Sequence, residues 1–288
     1  MTEHTEPIPY CAAGILQPYL RWAGGKINLI NEILQHIPED AKRLRYHEPF
    51  LGAGSLFFAL RPRHASLSDA NHHVIDCHRF VRDCPELIYR SIRRYAKSTS
   101  ERYYYEVREA YNRGSASPAQ AARFIYLNKT CFNGIFRVNR AGKFNVPYGW
   151  KEPPSLPSLE LLRSTSSALK HASLKVQRFE DATSAARPGD FVYLDPPYPP
   201  LNGTAYFTHY TENRFSIADH RRVAEEAQRL DRNGCRVLIS NADVPLVREL
   251  YRGFCVLQLP AVRYISCKRV KHRVNELLIA NYRMALSR

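Results

Sequence analysis

An acidic residue, two prolines and a tyrosine occupy positions 195–198, directly after an apolar run. Proline cannot continue a hydrogen-bonded strand, so Pro196 and Pro197 end the run and leave backbone carbonyls without partners. The Asp195 carboxylate and one such carbonyl can accept both hydrogens of an exocyclic amine, while the Tyr198 ring stacks on the planar base that carries it. The alternative is a proline-rich turn with a surface tyrosine. The segment therefore indicates a site that steers an amine towards an electrophile.

Two glycines, Gly52 and Gly54, lie in segment 47–55, between a predicted strand and the apolar helix 56–60. Glycine lets the backbone approach a ligand closely, and the amino end of a helix adds hydrogen-bond donors and positive potential. The next predicted strand ends at Asp69, 17 residues after Gly52, where a carboxylate would reach the hydroxyls of a ribose. A tight turn that binds nothing is the alternative. Because a third glycine is missing, the pattern favours a nucleoside without a diphosphate.

The segment RWAGGK at 21–26 is superficially similar to a phosphate-binding loop. It departs from that motif because Leu20 stands where the first glycine belongs and Ile27 follows the lysine in place of Ser or Thr. Trp22 by packing and Lys26 by charge are instead candidates to line a small-molecule pocket.

Short apolar runs alternate with amphipathic stretches along the chain, as in an α/β sheet. One predicted helix, 216–230, begins at Ser216 with Asp219 three residues on and ends near Gly234. The pattern predicts seven strands: Leu44–Phe50, His64–Ser68, Ser173–Phe179, Asp190–Leu194, Cys235–Ser240, Phe254–Leu259 and Asn275–Tyr282.

A long insertion is predicted between the second and third strands, since about a hundred residues separate them and a simple crossover needs far fewer. Its first part, 74–122, looks helical and is rich in arginines and tyrosines. Its second part, 128–150, mixes glycine, asparagine, aromatic and basic residues in a way that suits a hairpin.

The composition favours a globular protein with a polyanionic partner. The 288 residues are 44% hydrophobic and 24% charged, which excludes the disordered and fibrous classes. The net charge of 42 − 27 = +15 points first to nucleic acid and second to an anionic membrane surface. No apolar run reaches about 18 residues and the amino end lacks basic residues, so we expect a cytoplasmic location without membrane insertion. The seven cysteines are scattered, which predicts reduced thiols and no metal site.

The chain resembles the Dam-type DNA adenine-N6 methyltransferases, the D12 class whose α subgroup places a recognition insert before the DPPY motif. The likeness covers nearly the whole chain and follows one order of segments: WAGGK at 22–26, EPFLGAG at 48–54, SDAN at 68–71, RFIYLNKTCFNGIFRVNRAGKFNVPYG at 123–149, DPPYPPLNGTAYFTHYT at 195–211 and NELLIANY at 275–282. It is most specific in the part from Asn128 to Gly149.

The resemblance implies a Rossmann-like α/β fold with a seven-stranded, mostly parallel sheet and S-adenosyl-L-methionine as the cofactor. It implies two catalytic-domain parts, 1–71 and 158–288, separated by a helical plus β-hairpin target-recognition domain at 72–157. The implied catalytic residues are Asp195, Pro196, Pro197 and Tyr198. The implied cofactor contacts are Trp22, Lys26, Phe50, Gly52, Gly54, Asp69 on the ribose, and Asp195 beside the sulfonium.

The resemblance also implies that the hairpin enters duplex DNA at a GATC site. Arg137 would contact a guanine edge, Ile135 would pack on a base, and Phe132 would intercalate or support the extruded site. The implied DNA contacts are Arg21, Phe132, Asn133, Ile135, Arg137 and Asn139. A cognate restriction endonuclease, a monomeric state and association with the bacterial nucleoid complete the expectations.

Two other functions are open. A related transferase would act on cytosine N4, on RNA or on a protein glutamine, although cytosine enzymes of this type usually carry Ser at position 195 and glutamine enzymes usually carry Asn. A basic DNA-binding protein without catalysis would leave Asp195 and the Gly52–Asp69 pair unexplained.

Overall fold

Seven strands form one sheet in the order β3-β2-β1-β4-β5-β7-β6. The computed structural model describes residues 14–97, 100–149, 155–199, 215–265 and 270–284. The first five strands in this order, from β3 to β5, run parallel to one another. Strand β7 runs antiparallel to β5, and β6 runs antiparallel to β7. The strands are β1 (Arg45–Glu48), β2 (His64–Asp69), β3 (Ala172–Val176), β4 (Phe191–Leu194), β5 (Arg236–Ala242), β6 (Cys255–Ile265) and β7 (Val270–Ala280). The seven predicted strands and the mostly parallel sheet are therefore confirmed. The predicted end of the third strand at Phe179 is wrong, because β3 ends at Val176 and Phe179 begins a helix.

Helices cover both faces of the sheet. The four residues of β4 are all buried, and they alternate between two apolar clusters: Phe191 and Tyr193 pack on one side, Val192 and Leu194 on the other. A parallel strand with two covered faces needs this continuous apolar sequence. The helices are α1 (Ile30–Gln35), α2 (Ser55–Leu60), α3 (His72–Asp83), α4 (Pro85–Tyr95), α5 (Glu101–Arg113), α6 (Pro118–Thr130), α7 (Leu159–Leu169), α8 (Phe179–Thr183), α9 (Ile217–Arg232) and α10 (Pro245–Leu250).

A local interaction between side chains and backbone begins helix α9, as the sequence predicted. In α9 the Ser216 hydroxyl accepts the Asp219 amide, and the Asp219 carboxylate accepts the Ser216 amide, which is a capping box. Both ends of this interaction lie within one turn, so the sequence alone is enough to predict it.

The segment between β2 and β3 contains helices α3 to α7, of which α3 to α6 confirm the helical prediction for 74–122. The predicted hairpin start at Asn128 is wrong, because α6 continues to Thr130. The reason is burial on several sides: residues 124–128 are all buried, so the segment is held by packing rather than by an amphipathic face. The chain then folds back through two isolated antiparallel bridges, Cys131 with Tyr148 and Val138 with Phe144.

Helix α3 packs against the sheet rather than standing apart from it. The Arg79 guanidinium donates two hydrogen bonds, of 3.2 and 2.7 Å, to the backbone oxygen of Leu174 in β3.

The five cysteines within the described ranges are free thiols, as predicted, while Cys11 and Cys267 lie outside those ranges.

Candidate active site

Three carboxylates meet at the carboxyl ends of neighbouring strands. Strands β1 and β4 are adjacent in the sheet although they are not consecutive in the chain, so the gap between them is a topological switch point, where open α/β sheets bind ligands. Glu48 and Asp69 end β1 and β2, and Asp195 directly follows β4. The parallel register thereby gathers acidic groups that are far apart in sequence at one edge.

Asp195 is held by a lysine from the segment 22–26. The Lys26 Nζ lies 2.8 Å from Asp195 Oδ2, with side-chain exposures of 3% and 19%, so this ion pair is largely removed from water. Burial raises the pKa of the Asp195 carboxyl, and the neighbouring Lys26 ammonium opposes that shift. Lys26 also donates to the backbone oxygen of Gly24, which fixes its position from the other side. The lysine therefore favours the ionised form of the carboxyl against the effect of burial and fixes its orientation.

Tyr198 is anchored at both its ring and its hydroxyl. The Lys26 Nζ lies 4.7 Å from the centroid of the Tyr198 ring, and the Tyr198 hydroxyl donates to Glu276 Oε2 at 3.0 Å. Glu276 is buried on β7, the antiparallel strand beside β5. Sequence reasoning gave it no role, although an acidic residue at a strand position whose neighbours Leu277 and Leu278 are apolar was a usable signal. Pro196 is buried and Pro197 exposed between the two functional side chains.

The glycine turn and Asp69 are joined by hydrogen bonds. Asp69 Oδ2 accepts the Gly52 amide and Oδ1 accepts the Asn71 amide, both at 2.9 Å. Burial raises the pKa of the Asp69 carboxyl, and these two amides oppose the shift. Gly52 has a φ of +47°, and a Cβ added there would lie 2.5 Å from the Trp22 ring. The structure therefore brings Gly52, Asp69 and Trp22 together, and only glycine fits the turn.

Phe50 and Gly54 complete the surroundings of this turn. The Phe50 ring stacks on Phe179 with centroids 5.4 Å apart and meets the edge of Phe215 at 5.9 Å. Gly54 has a φ of +73° and precedes helix α2, where an added Cβ would lie 3.0 Å from the Phe58 ring. The two glycines thus place the α2 amino end against the sheet edge. The DPPY segment continues past the described residues, since 200–211 lie outside them.

Glu48 is a buried acid that sequence reasoning left without a function. Its Oε2 accepts the Tyr46 hydroxyl at 2.8 Å, and burial raises its pKa to about 8 despite that hydrogen bond. The nearby Asp195 and Asp69 carboxylates raise the pKa further. Burial therefore favours the neutral form of the Glu48 carboxyl, close to Asp195 and Asp69.

The Glu48 pKa predicts a pH-dependent stability. Between its ordinary pKa of 4.5 and about 8, Glu48 is protonated in the folded chain and ionised in the unfolded chain. Folding therefore takes up a proton, and the Glu48 contribution to the free energy of unfolding falls as pH rises through this window. Glu48→Gln should remove this loss, so urea unfolding should show the variant gaining on the wild type by up to about 1.4 kcal/mol per pH unit. A difference between the two chains that does not change from pH 5 to pH 8 would contradict the assignment.

The residues predicted to contact DNA surround the end of α6. Asn128 Oδ1 accepts the Arg21 amide at 2.8 Å, and its Nδ2 donates to the backbone oxygens of Arg21 and Gly134 at 2.7 and 3.2 Å. One buried amide thus fixes Arg21 beside the turn 132–134. Asn133, with a φ of 54°, is exposed in that turn, whereas Phe132 and Ile135 on either side are half-buried. Asn128 lies in the segment that resembles the family, but its bridging role depends on a contact with Arg21, 107 positions away in the sequence.

Arg137 is exposed and already oriented. Its Nε donates to Asn145 Oδ1 at 2.8 Å across the folded-back loop. Asn139 Oδ1 accepts the backbone amides of Ala141 and Lys143, both at 3.0 Å, so this side chain shapes the loop tip. The next residue inward, Phe136, stacks on Trp22 with centroids 5.9 Å apart. The folded-back loop therefore contacts the segment 22–26 through this aromatic pair, a contact that sequence reasoning missed.

Membrane-spanning helices and grouped metal ligands are both absent from the described ranges. No helix within those ranges is long and apolar enough to cross a membrane. Across the same ranges, no three histidine, cysteine, aspartate or glutamate side chains are grouped so that they could hold a metal ion.

The chain matches known proteins over most of its length. A model of the D12 class of N6 adenine-specific DNA methyltransferases matches residues 22–265. The chain is 37% identical over 274 residues to a type II methyltransferase of Lactococcus lactis subsp. cremoris, covering 93% of this chain and 96% of that protein. It is 36% identical to a type II methyltransferase of Methanocaldococcus jannaschii, covering 93% and 99%. It is also 36% identical to a DNA adenine methylase of Serratia marcescens, covering 90% and 96%. Together with the sheet order and the acidic switch point, these matches show that the chain belongs to the D12 class of N6 adenine-specific DNA methyltransferases.

Proposed function

We propose that the chain transfers a methyl group from S-adenosyl-L-methionine to N6 of an adenine flipped out of duplex DNA. The observation that carries the proposal is the Asp195–Tyr198 pair at the switch point, with Lys26 and Glu276 holding its two ends. An adenine inside a duplex cannot reach a carboxylate at the base of a sheet edge, so the base has to leave the stack. The Tyr198 ring then offers a stacking surface and Asp195 accepts the amine.

The residues around the switch point fit the cofactor that the family implies. When bound, S-adenosyl-L-methionine supplies an electrophilic methyl group on a positively charged sulfur. Asp195 and Asp69 supply negative charge, and each Asp69 oxygen keeps a second lone pair for a ribose hydroxyl besides its backbone amide. Trp22, Lys26, Phe50, Gly52 and Gly54 lie around the same turn and are proposed as the remaining contacts.

Asp195 contributes positioning rather than strong basicity. The amine of adenine is uncharged, so its nitrogen lone pair attacks once the two hydrogens are held by acceptors. S-adenosyl-L-methionine would supply the methyl group, and Asp195 or water would accept the proton that the amine gives up when its nitrogen takes that group. Pro196 and Pro197 keep the backbone acceptor rigid beside the carboxylate.

We further propose that residues 72–157 form the target-recognition part and that the target is GATC. Support comes from the exposed, pre-oriented Arg137 and from the basic charge of the chain, +15 overall. Helix α3 also packs on β3, so it serves the catalytic layer as well. The test is to expose plasmid DNA from cells that express the chain to two nucleases, one blocked by and one dependent on adenine methylation at GATC. The plasmid should resist the nuclease that methylation blocks and be cut by the nuclease that requires methylation. The reverse pattern would exclude GATC as the target sequence.

Arg137→Ala should relax sequence preference rather than weaken DNA binding in general. An arginine bidentate on a guanine edge carries about 1 to 3 kcal/mol of discrimination, whereas an arginine on phosphate carries none. Methylation of near-cognate duplexes should therefore rise relative to the cognate duplex. The matched control is Arg93→Ala on α4, which should lower binding to every duplex alike and make the salt slope shallower by about 0.9. If Arg137→Ala slowed methylation by one common factor on a panel of singly substituted duplexes, Arg137 would be a backbone contact.

We also propose an oligomeric state, a location and a partner enzyme for the chain. A monomer, a cytoplasmic location near the nucleoid and a cognate restriction endonuclease are consistent with a basic chain whose relatives include two named type II methyltransferases. RNA or cytosine as the target remains the alternative, and it would be seen as methylation of those substrates in preference to duplex adenine.

A further inference from the structure

A strongly basic surface lies at the amino ends of β1, β2 and β3, the edge of the sheet opposite Asp195. Arg45 and His64 lie side by side in the register of β1 and β2, and Ala65 lies beside Ala172 in β3. The Arg63 amide donates to the backbone oxygen of Lys42 at 3.1 Å, which joins the preceding loop to the same edge. We define this surface, the amino-edge patch, by six cations: Lys42, Arg43, Arg45, Arg61, Arg63 and Lys170.

The charge of the amino-edge patch is not neutralised by neighbouring acids. All six side chains are exposed, and none forms an ion pair within the described part of the chain. Two acids precede the patch: Glu39 is exposed and forms no ion pair in the described part of the chain, and Asp40 is paired with Arg236. The single acid between positions 42 and 64 is Glu48, which is only 2% exposed. The patch is therefore a source of positive potential that an external anion can meet.

A cavity lies within this surface. Its volume is about 170 Å³, and it is lined by Arg61, Arg63, Ser167 and His171 together with apolar residues that include members of α2, β2, α7 and β3. Guanidinium groups, a hydroxyl and an imidazole can all donate hydrogen bonds to a phosphate group. Arg61 follows α2 with a φ of 53°, a conformation that glycine adopts at the lowest cost. The cavity thus has the hydrogen-bond donors that a phosphate-binding site needs.

We propose that the amino-edge patch binds the phosphate backbone of a second segment of duplex DNA while the Arg137 loop holds the first. The six residues of β2 span about 20 Å at roughly 3.3 Å per residue, so a straight duplex on the carboxyl edge does not reach the patch. Cations spread over three strand ends match a repeating polyanion better than a single phosphate. A long substrate also supplies further segments of itself at high effective concentration once one segment is bound.

Capture of a second duplex tests this proposal. Full-length chain, kept below one copy per DNA, is bound to an immobilised 20-base-pair duplex that carries the site, and a labelled duplex without the site is added. The wild type should retain the labelled duplex. A triple variant should retain at least tenfold less and lower the salt slope of retention by about 2.7, or 0.9 for each phosphate contact. The variant carries Arg61→Gln, Arg63→Gln and Lys170→Gln.

A charge-matched control separates the patch from net charge. Its three changes remove the same charge at exposed positions on α9 and after α10: Arg221→Gln, Arg232→Gln and Arg252→Gln. This control should capture like the wild type, and methylation of a single-site 20-base-pair duplex should stay within twofold for every variant. A second patch variant leaves Arg61 intact and carries Arg43→Gln, Arg63→Gln and Lys170→Gln. It should show the same loss of captured labelled duplex.

Several outcomes would overturn the proposal while leaving the catalytic assignment intact. These are no capture by the wild type, equal loss in the patch and control variants, or capture that requires two protein copies on each immobilised duplex. Equal methylation of the short duplex by all chains keeps the proposed function standing in each case.

Discussion

Asp195→Ala should reduce methyl transfer by at least about 100-fold, while binding of the cognate duplex stays within about twofold. The reduction follows from the loss of the acceptor that orients the amine, because misplacement of a reacting group by about 1 Å costs on that order. DNA binding should persist, since the proposed phosphate and base contacts lie in other segments and removal of an acid only adds positive charge. Single-turnover methylation and a duplex titration measure the two quantities. Retention of more than a few per cent of the rate would refute the role.

A second variant protects this result from a folding artefact. Asp195→Ala leaves the Lys26 ammonium, 3% exposed, without its carboxylate, and an unpaired buried charge costs about 3 to 5 kcal/mol. The double variant Asp195→Ala with Lys26→Met removes both charges and should recover thermal stability. Its methylation rate should remain as low as that of the single variant. Recovery of activity together with stability would mean that Asp195 acts through the fold and not on the amine.

Tyr198→Ala should be the second most damaging change, and Tyr198→Phe should be mild. Stacking of a base on an aromatic side chain is worth about 1 to 3 kcal/mol, so losing the ring should slow transfer by about 10- to 100-fold. Phenylalanine keeps the ring and loses the hydrogen bonds of the hydroxyl to Glu276 and Asp195. Water can replace the hydroxyl as the donor to both carboxylates, so the loss is smaller than the about 1.5 to 3 kcal/mol of a hydrogen bond to a charged acceptor. The rate of Tyr198→Phe should therefore lie much closer to the wild type than to Tyr198→Ala.

The matched control for Tyr198 is Glu276→Gln. Glutamine keeps an oxygen that accepts the Tyr198 hydroxyl, so methylation should remain near that of the wild type. Equal rates for Tyr198→Phe and Tyr198→Ala would show that the hydroxyl, rather than the ring, is the functional part of this residue.

The sequence predicted those features that depend on near neighbours or on continuous burial. The strand Phe191–Leu194 is apolar throughout because both of its faces are covered, and the capping box of α9 lies within four residues. The glycine turn could be paired with Asp69 because consecutive parallel strands end at the same edge. The order of family segments supplied the functional class.

Features that depend on contacts between distant residues could not be predicted. The Tyr198–Glu276 hydrogen bond joins residues 78 positions apart, and the Trp22–Phe136 stack forms only when the loop 131–148 folds back. The raised pKa of Glu48 results from burial beneath two other acids, which a strand pattern does not reveal. The hairpin was predicted to start at Asn128 because the segment 128–150 mixes glycine, asparagine, aromatic and basic residues, but tertiary packing extends α6 to Thr130.

The central claim is that the Asp195 site methylates N6 of adenine in duplex DNA, and the product of the reaction tests it most directly. Purified chain is incubated with duplex DNA and S-adenosyl-L-methionine labelled in its methyl group, and the DNA is digested to nucleosides and separated. We expect the label in N6-methyldeoxyadenosine, with no label above background for Asp195→Ala. Label in N4-methyldeoxycytidine, or equal labelling by the wild type and Asp195→Ala, would contradict the claim.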